Sequence, residues 1–292
     1  MFCSVLFCSV LFCSVLFCSV LFCSVLFRSA KIFALVTFLL ISSANLYAID
    51  ITAGATTWYA WGRQYYTQNE PSGDFNSFTK SDPGFLYGPA IAVKFNNDFN
   101  LTFVYLYGKF DAKKGDGSKA DFTRNDSDLA LNYKLNDYFK VFLGIKYLSY
   151  DIVPVKDNFF SGNTFEVRGM DSHTSYGPGL GISATVPLTG NLFALSTISG
   201  LYLWGKEKID MLDTIYISPP PIMRSLKINY NEYGINSNLA IAYYIADLST
   251  VISLGGRFQY IMADYEDNKI YLSSIKFFIY GATLTATYTF NI

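Results

Sequence analysis

Tyr176-Gly177-Pro178-Gly179-Leu180-Gly181-Ile182-Ser183-Ala184-Thr185-Val186 alternates a larger apolar residue with a small or polar one for eleven positions. Tyr176, Pro178, Leu180, Ile182, Ala184 and Val186 share one side of an extended chain. Gly177, Gly179, Gly181, Ser183 and Thr185 share the other. A period of two belongs to a strand with two unlike faces; a helix would scatter both sets around its circumference. Two further stretches repeat the pattern. Tyr87, Pro89, Ile91, Val93 and Phe95 oppose Gly88, Ala90, Ala92 and Lys94, while Ile252, Leu254, Phe258, Tyr260 and Met262 oppose Ser253, Gly255, Arg257 and Gln259. Working outward from these three gives ten strands, near 49–66, 85–95, 99–112, 125–135, 139–152, 174–187, 191–205, 228–244, 250–263 and 274–290.

The connections alternate in length. Tight links sit at Asn96-Asn97-Asp98, Asn136-Asp137-Tyr138, Leu188-Thr189-Gly190 and Ala246-Asp247-Leu248. Longer polar loops are expected at 67–84, 113–124, 153–173, 206–227 and 264–273. Lipid offers no hydrogen-bond partners, so a sheet that crosses a membrane must close on itself. Short turns at one end and long loops at the other are the rhythm of an antiparallel transmembrane barrel. The expectation is an all-β chain: a single antiparallel ten-stranded barrel with short periplasmic turns and long extracellular loops. An even strand number puts both ends of the barrel segment on the periplasmic side. The apolar faces would meet lipid, the small, polar and charged faces would look inward, and Tyr and Phe near strand ends would form interfacial girdles.

Composition narrows the alternatives. Of 292 residues, 51% are hydrophobic, 18% aromatic and only 15% charged, with a formal net charge of −1. That balance excludes a nucleic-acid binder driven by phosphate contacts, and also an acidic disordered chain. The five cysteines are Cys3, Cys8, Cys13, Cys18 and Cys23, so residues 28–292 hold no disulfide framework, cysteine metal site or cysteine nucleophile.

Those cysteines belong to a repeat. Phe-Cys-Ser-Val-Leu recurs five times from Phe2 to Leu26, and Phe27 begins a sixth copy. The codons TTC TGT TCT GTT CTG would spell this pentapeptide and are also three copies of TTCTG. Slippage by one five-base unit would then shift the reading frame. In that logic the tract resembles the pentanucleotide-repeat leaders of the neisserial opacity proteins, which implies a phase-variable surface protein. Arg28 and Lys31 follow as a positive region, Ile32 to Ile41 as an apolar core, and Ser42-Ser43-Ala44 as a small-x-small cleavage site. Residues 1–48 are thus read as a repeat-containing export signal, cleaved after Ala44 or Ala48, and 49–292 as the barrel. The segment from Ala282 to Ile292 resembles the C-terminal barrel-assembly signal of bacterial outer-membrane proteins, with Phe290 followed by two further residues. That resemblance implies the barrel-assembly machinery as a partner.

Chemistry-bearing residues are few. His173 is the single histidine, flanked by Asp171 and Ser175. His173-Thr174-Ser175 resembles the His-x-Ser of outer-membrane lipid A deacylases, and omptin-type proteases also set His with carboxylates at a barrel rim. A solvent-exposed rim histidine without catalytic role is the plainer expectation. Lys94, Asp128, Lys134, Lys140, Lys146, Glu232 and Arg257 fall on the polar faces, accompanied by Asn132, Asn236, Asn238 and Gln259. Such groups either pair into a network that fills the barrel or line a small conducting path. A filled interior is expected, since ten strands enclose far less space than a porin. Loop acids such as Asp264, Glu266 and Asp267 lack calcium-loop spacing. Pro219-Pro220-Pro221 with Ile222 and Met223 would give one loop a stiff apolar tip.

The resulting expectation is a bacterial outer-membrane protein without enzymatic activity, cofactor or metal, and without nucleic-acid partners. It would be an adhesin or surface antigen meeting outer-membrane lipid and a host-surface or environmental ligand. A small porin-like channel and a rim hydrolase using His173 are the second and third expectations.

Overall fold

The computed structural model describes residues 50–70, 73–114, 119–155, 158–159, 165–214, 222–265 and 272–291. The leader 1–48, the Pro219–Pro221 tip and loop residues Glu266, Asp267 and Lys269 lie outside the described residues. Twelve strands form one sheet: β1 (Asp50–Glu70), β2 (Gly73–Ser81), β3 (Gly84–Lys94), β4 (Phe99–Lys114), β5 (Lys119–Lys134), β6 (Phe139–Val155), β7 (Asn158–Phe159), β8 (Phe165–Thr189), β9 (Leu192–Thr214), β10 (Ile222–Ile245), β11 (Thr250–Tyr265) and β12 (Leu272–Asn291). All pairings are antiparallel. Leaving aside the short β2 and β7, neighbours in sequence are neighbours in space, and β12 returns to pair with β1 from Asp50↔Asn291 to Gln68↔Leu272. The ring therefore holds ten strands, as the alternation predicts. β2 sits above β3 in the same column, pairing with β1 beside Arg63–Glu70 and with β4 at Thr79–Ser81. The chain breaks between them at Asp82-Pro83, where proline removes a ladder donor.

The lipid-facing side follows the period-two sets. Leu180, Leu239, Leu254 and Ile198 expose more than half of their surface, while Leu201, Leu203 and Ile261 on the opposite parity are buried. Aromatics cap this band toward the long-connection end. Tyr176, Tyr202 and Trp204 lie together, with the Tyr202 and Trp204 rings 5.5 Å apart and edge-on. Beyond Trp204 the outward positions of β9 become Lys206, Lys208 and Asp210, so the apolar belt stops there.

The two ends differ as expected, but the strands run further than the pattern suggests. β9 continues to Thr214 and β10 begins at Ile222, so much of the 206–227 connection is a paired hairpin rather than irregular loop. The same holds for 113–124, where β4 and β5 pair as far as Lys113↔Lys119. Polar residues hide strand pairing here because no apolar face marks the alternation. At the other end the turns are tight. Asn96 Oδ1 accepts the amides of Asp98 and Phe99, and Asn136 Oδ1 accepts those of Tyr138 and Phe139, all at 2.8–2.9 Å. An asparagine side chain that binds backbone two and three residues on is a built-in turn. The link between β8 and β9 uses Gly190 at φ +46°.

The interior departs from expectation in one respect. Small and polar residues face inward near the turn end, but toward the hairpin end the lumen is filled by apolar and aromatic side chains. Trp58, Ala60, Leu86, Leu106, Phe110 and Ile279 form one cluster. Leu148, Tyr150, Tyr230, Ile261, Ala263, Ile275 and Phe277 form another, and Phe122 packs against both. Gly205 makes this possible: a Cβ there would lie 2.0 Å from the Tyr230 ring. Gly200, outward on the same strand, has nothing within 4 Å of such a Cβ. Gly205→Ala is therefore expected to cost about 1–3 kcal/mol by overpacking. Gly200→Ala should be neutral or gain up to about 1 kcal/mol through the unfolded chain. Urea unfolding of the two variants side by side checks the contrast, and equal effects would refute it.

Candidate functional site

Alternation on β5 puts Arg124, Asp126 and Asp128 on one inward face, and their partners come from the neighbouring β6 and from β11 across the lumen. Asp126 is the hub. Its Oδ2 accepts from Arg124 Nη2 at 3.0 Å and its Oδ1 accepts from Lys146 Nζ at 2.5 Å. Arg257 Nη2 lies 3.6 Å from Asp126 Oδ2. Lys146 also reaches Asp128 Oδ1 at 2.9 Å, and Arg257 donates to Asp128 Oδ2 at 3.2 Å and to Asn236 Oδ1 at 3.1 Å. Arg124 further donates to Gln259 Oε1. Arg124, Asp126 and Lys146 are each 1% exposed, so the network is a plug and not a rim decoration. The Arg257 guanidinium rests 4.7 Å from the Trp58 ring centroid, which joins the plug to the apolar layer.

Of the expected network, Asp128, Lys146 and Arg257 are in it. Glu232 is buried beside it, within the field of Arg124 and Lys146, and accepts from Ser175 Oγ at 2.6 Å. Lys94, Lys134 and Lys140 are not in it. Lys94 pairs with Asp50 at 3.4 Å, and Lys134 pairs with Asp137 of the adjacent turn at 2.6 Å. Lys140 lies directly across from Lys134, so the three lysines gather at the turn end. All seven lie at inward-parity positions, but depth along the strand decides partners and parity does not report it. The hydrogen bond from Lys134 also holds the Asp137 carboxyl below the usual aspartate range.

Arg124 and Asp126 complete the plug and escape the sequence expectation, while Gln259, expected on the inward face beside the network, joins it through Arg124. Arg124 was placed in a loop that is in fact strand, although Arg124, Asp126 and Asp128 at every second position carried the signal.

The second assembly surrounds His173. Asp171, His173 and Ser175 all face inward on β8, and Glu207 lies directly opposite His173 on β9. The exposed-rim expectation for His173 is corrected: it is 1% exposed, because the strands continue well above it and aromatic rings close over it. Tyr150 stacks on the imidazole at 4.3 Å and 20°, and Tyr230 lies 5.8 Å away. His173 Nε2 is 3.0 Å from Asp171 Oδ1 and 3.5 Å from Glu207 Oε1. Ser175 donates to Glu232 and not to the imidazole, so His173 and Ser175 do not form a nucleophile–base pair.

A closed antiparallel ring with an outward apolar belt, aromatic caps and a sealed polar interior defines a bacterial outer-membrane β-barrel. Among solved structures, the chain is similar to the outer membrane protease OmpT from Escherichia coli, with a TM-score of 0.54 and 11% identity over 85% of this chain and 98% of that one. It also matches the translocator domain of the autotransporter NalP from Neisseria meningitidis (TM-score 0.42, 10% identity, 89% and 95% coverage) and the outer membrane protein AlkL (0.37, 13%, 86% and 94%). At these identities the likeness to OmpT establishes the fold and nothing further. No protein-family model matches the chain, and no curated protein does. The chain is an outer-membrane barrel protein, with short turns at one end and long hairpins at the other.

Proposed function

We propose that this barrel is a non-conducting, non-enzymatic surface protein, an adhesin or surface antigen, whose display is switched by its leader repeat. The observation that carries the reading is the sealed lumen. Arg124, Asp126 and Lys146 block the middle of the barrel at 1% exposure, and the inward Trp58, Leu86 and Leu203 are 0% exposed. A barrel without a conducting path works through what it presents, and its strands extend past the apolar belt into polar hairpins such as β9–β10. The in-phase pentapeptide repeat supplies the regulation, since frame switching suits a surface element under immune or phage selection.

The hydrolase reading has one observation in its favour, the convergence of Asp171, His173 and Glu207. Against it stand the burial of His173 and the engagement of Ser175 with Glu232.

The test couples genotype to display. Sibling clones are sequenced through the tract and assayed for surface protein and host-cell binding, and protein from displaying clones is reconstituted in planar bilayers. Display and binding are expected only when the repeat number keeps frame, and the bilayers should be silent. Discrete conductance steps would replace this reading with a channel, and repeat number unrelated to display would remove the switch.

A further inference from the structure

His173, Asp171 and Glu207 form a cluster that nothing in the surface-protein reading uses. Their donor atoms all lie within 4.8 Å of one another. Buried polar groups are normally hydrogen-bonded, and an orphan costs its full desolvation. Here both imidazole nitrogens, Asp171 Oδ1 and Glu207 Oε2 lack hydrogen-bond partners, although His173 and Glu207 are 1% and 3% exposed. Nε2 approaches both carboxylates at 3.0 and 3.5 Å without forming a hydrogen bond to either. Contact without alignment is what donor atoms show when they converge on a common point rather than on each other.

We propose that Asp171, His173 and Glu207 bind a divalent transition-metal ion of zinc's class inside the extracellular end of the barrel. One imidazole nitrogen and two carboxylates are a borderline donor set that suits Zn²⁺, with a solvent oxygen completing four-coordination. Ligand atoms about 2.0–2.1 Å from a tetrahedral zinc stand roughly 3.3 Å apart, a spacing that the two measured separations of 3.0 and 3.5 Å bracket. Tyr150 stacks on the ring and fixes its plane. The entry path is Asp171, whose side chain keeps 31% of its surface exposed while the other two ligands are covered. Because Asp171 and His173 lie on β8 and Glu207 on β9, the ion would cross-link adjacent strands above the apolar belt. The site stands on its own geometry, whatever ligand the hairpins contact.

The full chain, purified from outer membranes without a polyhistidine tag, is stripped with chelator and titrated with Zn²⁺ by calorimetry and with Co²⁺ by visible absorption. One equivalent should bind, Co²⁺ should give d–d bands that Zn²⁺ displaces, and chelator should reverse both. His173→Ala and Glu207→Gln should each weaken binding at least ~100-fold, while Lys206→Ala, the outward neighbour of Glu207, should bind like the parent. Gel migration before and after heating shows which variants are folded barrels. Should His173→Ala not fold, Asp171→Asn at the exposed mouth carries the same expectation. Absence of stoichiometric binding by the parent, or binding retained in folded ligand variants, would overturn the proposal.

Discussion

Asp126→Ala is expected to destabilise the barrel by about 3–5 kcal/mol, the loss typical of removing one partner from a buried ion cluster. The wild-type carboxylate meets Arg124, Lys146 and Arg257 at once. Without it, three cations share Asp128, which engages Lys146 and Arg257 but not Arg124. Most of the loss is the uncompensated charge left behind rather than the net worth of the bonds, since burying the ions already costs several kcal/mol each. A second change separates these terms. Lys146→Met in the Asp126→Ala background removes one stranded cation and should recover part of the loss. Urea unfolding of detergent-folded protein measures both, and a double variant no more stable than Asp126→Ala would contradict the account.

Trp58→Ala should cost a similar ~3–5 kcal/mol, from lost apolar burial plus the cavity left behind. Trp58 is 0% exposed and packs with Leu86, Leu106, Phe110 and Ile279, on a ring too narrow to collapse around the gap. It also carries the Arg257 guanidinium on its face, which contributes about 0.5–2 kcal/mol of that loss. Arg257 thus links the two sites, so the changes should not be additive. A double-mutant cycle between Trp58→Phe and Asp126→Asn is expected to return a coupling of about 0.5–3 kcal/mol. Strict additivity would show that plug and apolar layer are independent.

Legibility followed chemistry. Where one face meets lipid and the other is small or polar, as in 176–186, alternation named the strand, its orientation and its lipid-facing residues. Asn96 and Asn136 marked turns through side-chain chemistry that acts locally. The signal failed where both faces are alike. In Leu201-Tyr202-Leu203-Trp204 both faces are apolar, because inward leucines fill the lumen while outward aromatics meet the interface, so the strand is legible there but its lipid-facing side is not. In Lys206-Glu207-Lys208-Ile209-Asp210 polar residues stand on both sides, so paired strand passed for loop and Glu207 was missed. The site around His173 combines two strands whose alignment depends on register, and Glu207 faces His173 only because β8 and β9 pair as they do. The expected export signal, the proposed meaning of the repeat and the proposed binding partner belong to segments and molecules beyond the barrel's own geometry.

The seam between β1 and β12 governs how the barrel can be made. Asp50 pairs with Asn291, so the closing ladder joins the two extremes of the described chain. Closing so long a loop costs entropy that a single hairpin never meets, although the cost rises slowly with length. Contacts this remote in sequence form slowly, and they gain their advantage only after the other ladders have brought the ends together. Until then β1 and β12 are open edges with unsatisfied amides, ready templates for the wrong partner. Ring closure is therefore the committing step of assembly, and a chain stalled one ladder short is an aggregation hazard rather than a weakened barrel.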